Sequence, residues 1–407
     1  WIFGGSGAWE TATNWSLGHA PVSGEQVLID IAGLLVTVTV SSGSQVATDL
    51  ASQENVALTG GTLTLSGTST IYGTLSVSGG TLAGTGDLAL NGGLSWSGGT
   101  ISGSGALTVG GAMGITGTSA KTLDGRTLTH TNAIGSSLFD STGTMNLNGG
   151  AVFRNAAGAI LNFNSASSMF LDYDSGATAT FDNLGTVNKG GAGTLDASTF
   201  SGTSGLAFNN SGQINVTGGT LLLGSGGTQS GAVALSSGTT LRFAGGTHGL
   251  NAGTSLTGTG TLAVSGGTVS VAAAASIAPT ISVTHSSGSL NNASAWTNSA
   301  GYTLSGGTLT GTGDLALDAG PADRPRRHAA LARQLRLSRR PRHRNVRAGR
   351  PRHAADRACI RQLRSDQGRH GGSREEPEAV VKTAGVSPDG GSQWEAASGL
   401  SGCFRHN

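Results

Sequence analysis

"GGTLTLSGTSTIYGTLSVSGGTLAGTGDLALNGGLSWSGGT", Gly60 to Thr100, holds the tripeptide Gly-Gly-Thr three times, at Gly60, Gly79 and Gly98, in two steps of 19. Between these markers run short alternations such as "TLTL" (Thr62 to Leu65), "TLSV" (Thr74 to Val77) and "DLAL" (Asp87 to Leu90). Alternation with period two puts Leu or Val on one face of a strand and Thr, Ser or Asp on the other. The glycine pairs suit corners, where positive φ angles are needed. Strands of three or four residues cannot bury an apolar face alone. Stacking successive coils in parallel joins each Leu-x-Leu to those above and below. The expectation is an all-β chain, a right-handed parallel β-helix. An antiparallel meander or sandwich is the alternative for short strands with Gly-rich turns, and the near-constant unit of about twenty residues favours the solenoid.

The marker returns at Gly226, Gly245 and Gly266, in steps of 19 and 21. "SGGTLTGTGDLAL" (Ser305 to Leu317) repeats Ser78 to Leu90 at twelve of thirteen positions, Thr310 replacing Ala83. The section between uses another unit. "FRNAAGAI" (Phe153 to Ile160), "FDNLGTV" (Phe181 to Val187) and "FNNSGQI" (Phe208 to Ile214) share Phe-x-Asn, then Gly, then a β-branched residue, at spacings of 28 and 27. The Phe is expected to fill the core and the Asn to take a tight turn or to stack as a side-chain ladder. This divides the chain into a capping module at 1–46, Gly-Gly-Thr repeats at 47–130, Phe-x-Asn repeats at 131–217, Gly-Gly-Thr repeats at 218–318 and a tail at 319–407.

The net charge of +2 over 407 residues hides a break near Gly320. Before it, five Lys and Arg face fourteen Asp and Glu, a balance of −9; after it, nineteen face eight, a balance of +11. Of 70 glycines, 61 lie before the break, and both cysteines, Cys359 and Cys403, lie after it. The tail reads as a disordered basic arm or as non-native text. All five of its histidines, His328, His343, His353, His370 and His406, directly follow an arginine. In a GC-rich gene Arg-His is CGG-CAC, and the same bases read one position later give Gly-Thr. The tail therefore reads as a frameshift near Asp318, and its cysteines then carry no redox information.

The opening "WIFGGSGAWETATNWSLGHAPVSGEQVLID" (Trp1 to Asp30) is similar to a module of the giant surface proteins of Gram-negative bacteria, the filamentous-haemagglutinin-like and autotransporter-like adhesins. Trp1, Gly4, Gly7, Trp9, Asn14, Trp15, Gly18, Pro21, Gly24, Val27 and Ile29 carry that resemblance, and "FNNSGQINVTGGTLLL" (Phe208 to Leu223) resembles their internal repeats. The resemblance covers residues 1–318. It implies a secreted or cell-surface, outer-membrane-associated stalk that attaches to host-cell or abiotic surfaces, with glycans among its partners. Autotransporters carry a translocating β-barrel, and none is expected in this sequence, which leaves the export route open.

Enzymes that cleave polysaccharides also use β-helices, so paired carboxylates matter. The best pair is Asp172 and Asp174 in "FLDYDSG", set on one face of a strand by alternation; solvated strand-end carboxylates or Ca²⁺ ligands are the other readings. Asp87 and Asp314 are weaker candidates, since Ala106 and Thr261 hold their place in "GSGAL" and "GTGTL". Trp1, Trp9 and Trp15 are read either as a plug over the open end of the solenoid or as a sugar-stacking site. Single histidines, His19, His130, His248 and His285, lack metal spacing, and no Gly-x-Gly extends to a phosphate-binding loop. Outward Thr-x-Thr pairs are missing from the coils at Gly79 and Gly98, which disfavours ice binding. The expectation is thus a non-enzymatic structural segment with no cofactor, no metal, no specific nucleic-acid partner and no membrane-spanning helix. End-to-end self-association and the two alternatives, a polysaccharide-degrading enzyme or a glycan-binding module, complete the reading.

Overall fold

In a computed structural model the chain is a β-solenoid. The structure describes residues 1–135, 137–172, 177–198 and 205–317, and the backbone of two short strands, Ser392–Ala396 and Phe404–His406. The rest of the tail, and with it the expectation of a disordered or non-native segment, lies outside the described residues. Most coils contribute one short strand to each of three faces, and in two of them Thr261–Val271 and Ser282–Asn292 run through two faces as one strand. Face A includes Asn55–Leu58, Leu75–Val77 and Gly93–Trp96; face B includes Thr62–Leu65, Thr81–Ala83 and Gly99–Ser102; face C includes Ser69–Ile71, Leu88–Leu90 and Leu107–Val109. Neighbouring coils pair in parallel in residue-for-residue register, as in Leu75↔Leu94, Leu82↔Ile101 and Leu88↔Leu107. Thirteen strands stack in face A alone, which at about 4.8 Å per strand makes a rod of roughly 60 Å.

The alternation read from the sequence sets the core. In Thr62–Leu65 the Thr residues are half-exposed and both Leu are buried; Leu82, Leu88 and Leu90 are buried likewise. One continuous hydrophobic core runs from Trp9 to Leu304. Each fully buried Leu or Val is worth about 1.5–3 kcal/mol against exposure, and each gains it only because the coils on both sides are present.

In the middle section the coil lengthens from 19 residues (Leu75↔Leu94) to 24 (Gly114↔Leu138), 26 (Asn162↔Asn188) and 27 (Thr186↔Gln213) before returning to 19 (Gln213↔Ala232). There Phe153, Phe181 and Phe208 stack inside face C with ring centroids 5.2 and 4.8 Å apart. Asn155, Asn183 and Asn210 stack beside them as a buried ladder: Asn155 Nδ2 donates to Asn183 Oδ1 (2.8 Å) and Asn183 Nδ2 to Asn210 Oδ1 (2.7 Å). The expected Phe filling and Asn stacking are both present, and these Asn end strands instead of occupying turns. A second ladder, on the outer side of face A, joins Asn162, Asn188 and Asn215 at 2.9 and 2.8 Å.

The Gly-Gly-Thr marker does not keep one place around the coil. At Gly60, Gly79 and Gly98 it opens face B, whereas at Gly226, Gly245 and Gly266 it opens face C. Thr261 consequently pairs within face B (Thr240↔Thr261) and is not the equivalent of Asp87, which precedes a face C strand. The assignment of Asp87 and Thr261 to one repeat position is corrected by this register.

Candidate functional site

The N-terminal module concentrates the exposed apolar side chains. Seven of the ten large hydrophobic residues that are exposed among the described residues, Ile2 through Leu35, lie in the first 35 positions. Gly7–Ala8 pairs in parallel with Thr37–Val40, so the chain begins with a partial coil laid on the first complete one. From there Trp9 turns inward and is fully buried, and a short 3-10 turn, Ala12–Asn14, returns Trp15 over it. The Trp15 ring meets Trp9 edge-on at 4.9 Å and Trp1 at 5.0 Å, and its Nε1 donates to the Trp9 carbonyl at 2.7 Å. The three tryptophans are therefore one cluster, two of them inside the core and Trp1 half-exposed.

The same module terminates the backbone ladder. In successive coils the two corner N–H groups between faces A and B donate to a carbonyl of the preceding coil: Thr59 and Gly60 to Val40 O, Ser78 and Gly79 to Leu58 O. At the first full coil the equivalent carbonyl, Trp9 O, accepts from Trp15 Nε1, and Ser41 and Ser42 donate instead to Glu10 Oε1 at 2.6 and 2.7 Å. Burial raises the affinity of Glu10 for a proton, but these N–H bonds outweigh it and hold the carboxyl below its ordinary value. Ser6 Oγ accepts from Thr37 N, and buried Glu54 accepts from Ile31 N and Val36 N. Nothing in the charge balance marked Glu10 or Glu54; the signal available was that glutamate occurs only three times before the tail, at Glu10, Glu25 and Glu54.

A cleft of about 300 Å³ opens beside this cluster, lined among others by Trp1, Leu17, His19, Glu25, Leu28 and Asp30. His19 Nε2 lies 3.6 Å from Glu25 Oε1, and Glu25 Oε2 accepts from Val22 N. An aromatic edge, apolar walls and carboxylates can hold a small polar ligand with an apolar face.

Of the carboxylate pair, Asp172 closes the face B strand Met169–Asp172, opposite Asn146; its side chain and the whole of Asp174 lie outside the described residues. Asp87 Oδ1 accepts from Ala106 N at 2.8 Å.

Three cations sit in the interior. Lys121 Nζ donates to Ser119 O and Ser141 Oγ, Lys189 Nζ to Gly191 O and Gly218 O. Arg126 runs down a glycine-lined corner to Gly105 O and Gly86 O. Burial lowers all three from their ordinary values, Asp87 opposing it for Arg126. His130, His248 and His285 are also fully buried, and desolvation pushes each below the usual imidazole value. His130 is held between Asn155 Oδ1 (2.9 Å) and Ser137 Oγ (2.6 Å), His285 against Tyr302 Oη and Gly288 O. These groups lie in separate coils, and no cluster of three or more His, Cys, Asp or Glu with metal-holding geometry occurs among the described residues. No helix among those residues is long and apolar enough to cross a membrane. No family model, no curated protein and no solved structure matches the chain.

Proposed function

We propose that the chain is a structural segment of a secreted or cell-surface adhesin of a Gram-negative bacterium, a stiff stalk whose attachment comes from outward polar side chains and corner loops. One observation carries this: a single hydrophobic core and coil upon coil of parallel strands run the length of the described array, with polar side chains turned outward along the strands. A fold of this kind resists bending and local opening because each coil is held on both sides. The plug reading of Trp9 and Trp15 is supported by their burial and by the Glu10 and Ser6 acceptors beside them. The cleft at half-exposed Trp1 supports a second reading, a glycan-binding module.

The test uses chain-coated beads on host-cell layers, bare polymer surfaces and a glycan array, beside small-angle scattering for the rod. Adhesion to cells or polymer with a rod near 60 Å is expected. Binding confined to one glycan and abolished by Trp1→Ala would establish the second reading instead. Release of reducing sugar from polysaccharide by the unaltered chain would replace both with an enzyme.

A further inference from the structure

We propose that the open face of the last coil is an internal boundary of a longer solenoid, and that its cover is further coils of the same repeat, spelled by the bases after Asp318 read one position later. The proposal rests on the fold and the sequence and is independent of the stalk reading.

The structural half lies in the last coil. Leu309, Leu315 and Leu317 are only partly buried, whereas Leu82, Leu88 and Leu90, at the same places in the earlier copy of the word, are 2 % exposed or less. Each of the three packs on the coil before it and has no parallel coil after it among the described residues. The free edge of Thr308–Gly311 is met by Ser392–Ala396, which pairs antiparallel; every strand pairing within residues 1–317 is parallel. An antiparallel pair, Ser392–Ala396 with Phe404–His406, occupies one edge alone. Another coil would extend all three faces in register and bury all three Leu.

The sequence half shows what that coil is. About one residue in five after Asp318 is Arg, yet all five histidines there follow one; none of His19, His130, His248 and His285 does. Arg-His written CGG-CAC becomes Gly-Thr in the later frame. Two longer words recur in the tail: Arg-His-Ala-Ala at Arg327 and Arg352, and Arg-Gln-Leu-Arg at Arg333 and Arg361. The first, as CGG-CAC-GCT-GCG, becomes Gly-Thr-Leu, the word that opens strands at Gly61, Gly80, Gly219 and Gly307. The second, as CGG-CAG-CTC-CGG, becomes Gly-Ser-Ser-Gly, which contains the Ser-Ser-Gly of Ser236 and Ser286. These words recur after 25 and 28 residues, close to the 24 to 27 of the longer coils. A basic arm has no reason to repeat at the period of the solenoid; a solenoid read out of frame does.

The coding DNA across codon 318, read independently from the source genome, is the first test. A one-base insertion or deletion near that codon, with Gly-Thr at the five Arg-His sites of the later frame, is expected. An intact frame as written, with tail peptides found in the native protein by mass spectrometry, overturns the proposal; so does a later frame without Gly-Thr words. The second test compares the full chain as written with a chain continued in the later frame after Leu317. Amide exchange at Leu309 should slow to the level of Leu82 in the continued chain. Unchanged exchange there would overturn the cover even if the frame is shifted. Loss of adhesion in either chain bears only on the stalk reading.

Discussion

Ser78–Leu90 and Ser305–Leu317 differ at one residue in thirteen, and the solenoid uses them on different faces. In the first copy Thr81–Ala83 lies in face B and Leu88–Leu90 in face C; in the second Thr308–Gly311 lies in face C and Leu315–Leu317 follows as the next strand. Locally the copies agree: Gly80 and Gly307 hold φ of +66° and +86°, Gly84 and Gly311 of +122° and +124°. Their surroundings do not. The word specifies corner, strand, corner, strand; the place around the triangle is set by the residues accumulated before it. The three faces are close enough to equivalent that one text fits more than one of them.

The comparison is broken or sharpened first at the core. Leu88→Asp places a charge between two coils where no partner exists, and should cost about 4 kcal/mol or more and open the array. Leu315→Asp, at the same letter of the word, should cost under about 1 kcal/mol, because that side chain keeps access to water. Chemical denaturation of both variants reads the difference, and equal losses would mean that the last coil is covered. Next come the corners. A Cβ at Gly80 would meet Gly61 O at 2.5 Å, and one at Gly307 would meet Gly288 O at 2.5 Å, each with positive φ. Gly→Ala at either should cost about 1–3 kcal/mol locally, by hydrogen exchange within the coil. A large inequality there would show that corner strain depends on the face. Asp87→Thr tests a third letter. Its bond to Ala106 N and its charge near Arg126 should make it cost about 1 kcal/mol in thermal melts. A silent substitution would mean that neither the bond to Ala106 N nor the charge near Arg126 contributes to stability.

Much of this was legible. Period-two alternation located the Leu and Val of nearly every strand, and the Phe-x-Asn spacing located both the ring stack and the buried amides. The phase of the repeat was not legible, because Gly-Gly-Thr satisfies the same backbone requirement at two corners and only the summed loop lengths distinguish them. The interior basic residues were missed for a different reason. Lys121 stands two residues before Leu123, and His130, His248 and His285 stand two residues from Leu128, Leu250 and Val283. Alternation places all four inside; charge and polarity argued for solvent, and alternation won because carbonyls and hydroxyls at the corners supply partners. Glu10 was invisible, since its role depends on Trp15 Nε1 occupying the carbonyl of Trp9 that the corner N–H groups would otherwise use.

The smallest expected effect separates the early array from the later coils by pH. No buried histidine lies between Val27 and Val109, whereas His130, His248 and His285 lie beyond. Their folded pKa values are lowered, so the unfolded chain binds the proton more readily, and stability is lost as pH falls through the ordinary imidazole value near 6.5. At pH 6.5 the loss is at most about 0.4 kcal/mol for each histidine, and it grows as pH falls further. Glu10 shifts in the carboxylate range, below this window, so the N-terminal plug should be unaffected within it. Hydrogen exchange at pH 7.5 and 6.0 should therefore show faster opening of the coils around His130, His248 and His285 while Leu75 to Leu107 keep their protection, after correction for intrinsic exchange. Uniform loosening of both arrays would mean that the solenoid opens as a single unit, and that the two copies of the word, however differently placed, share one stability.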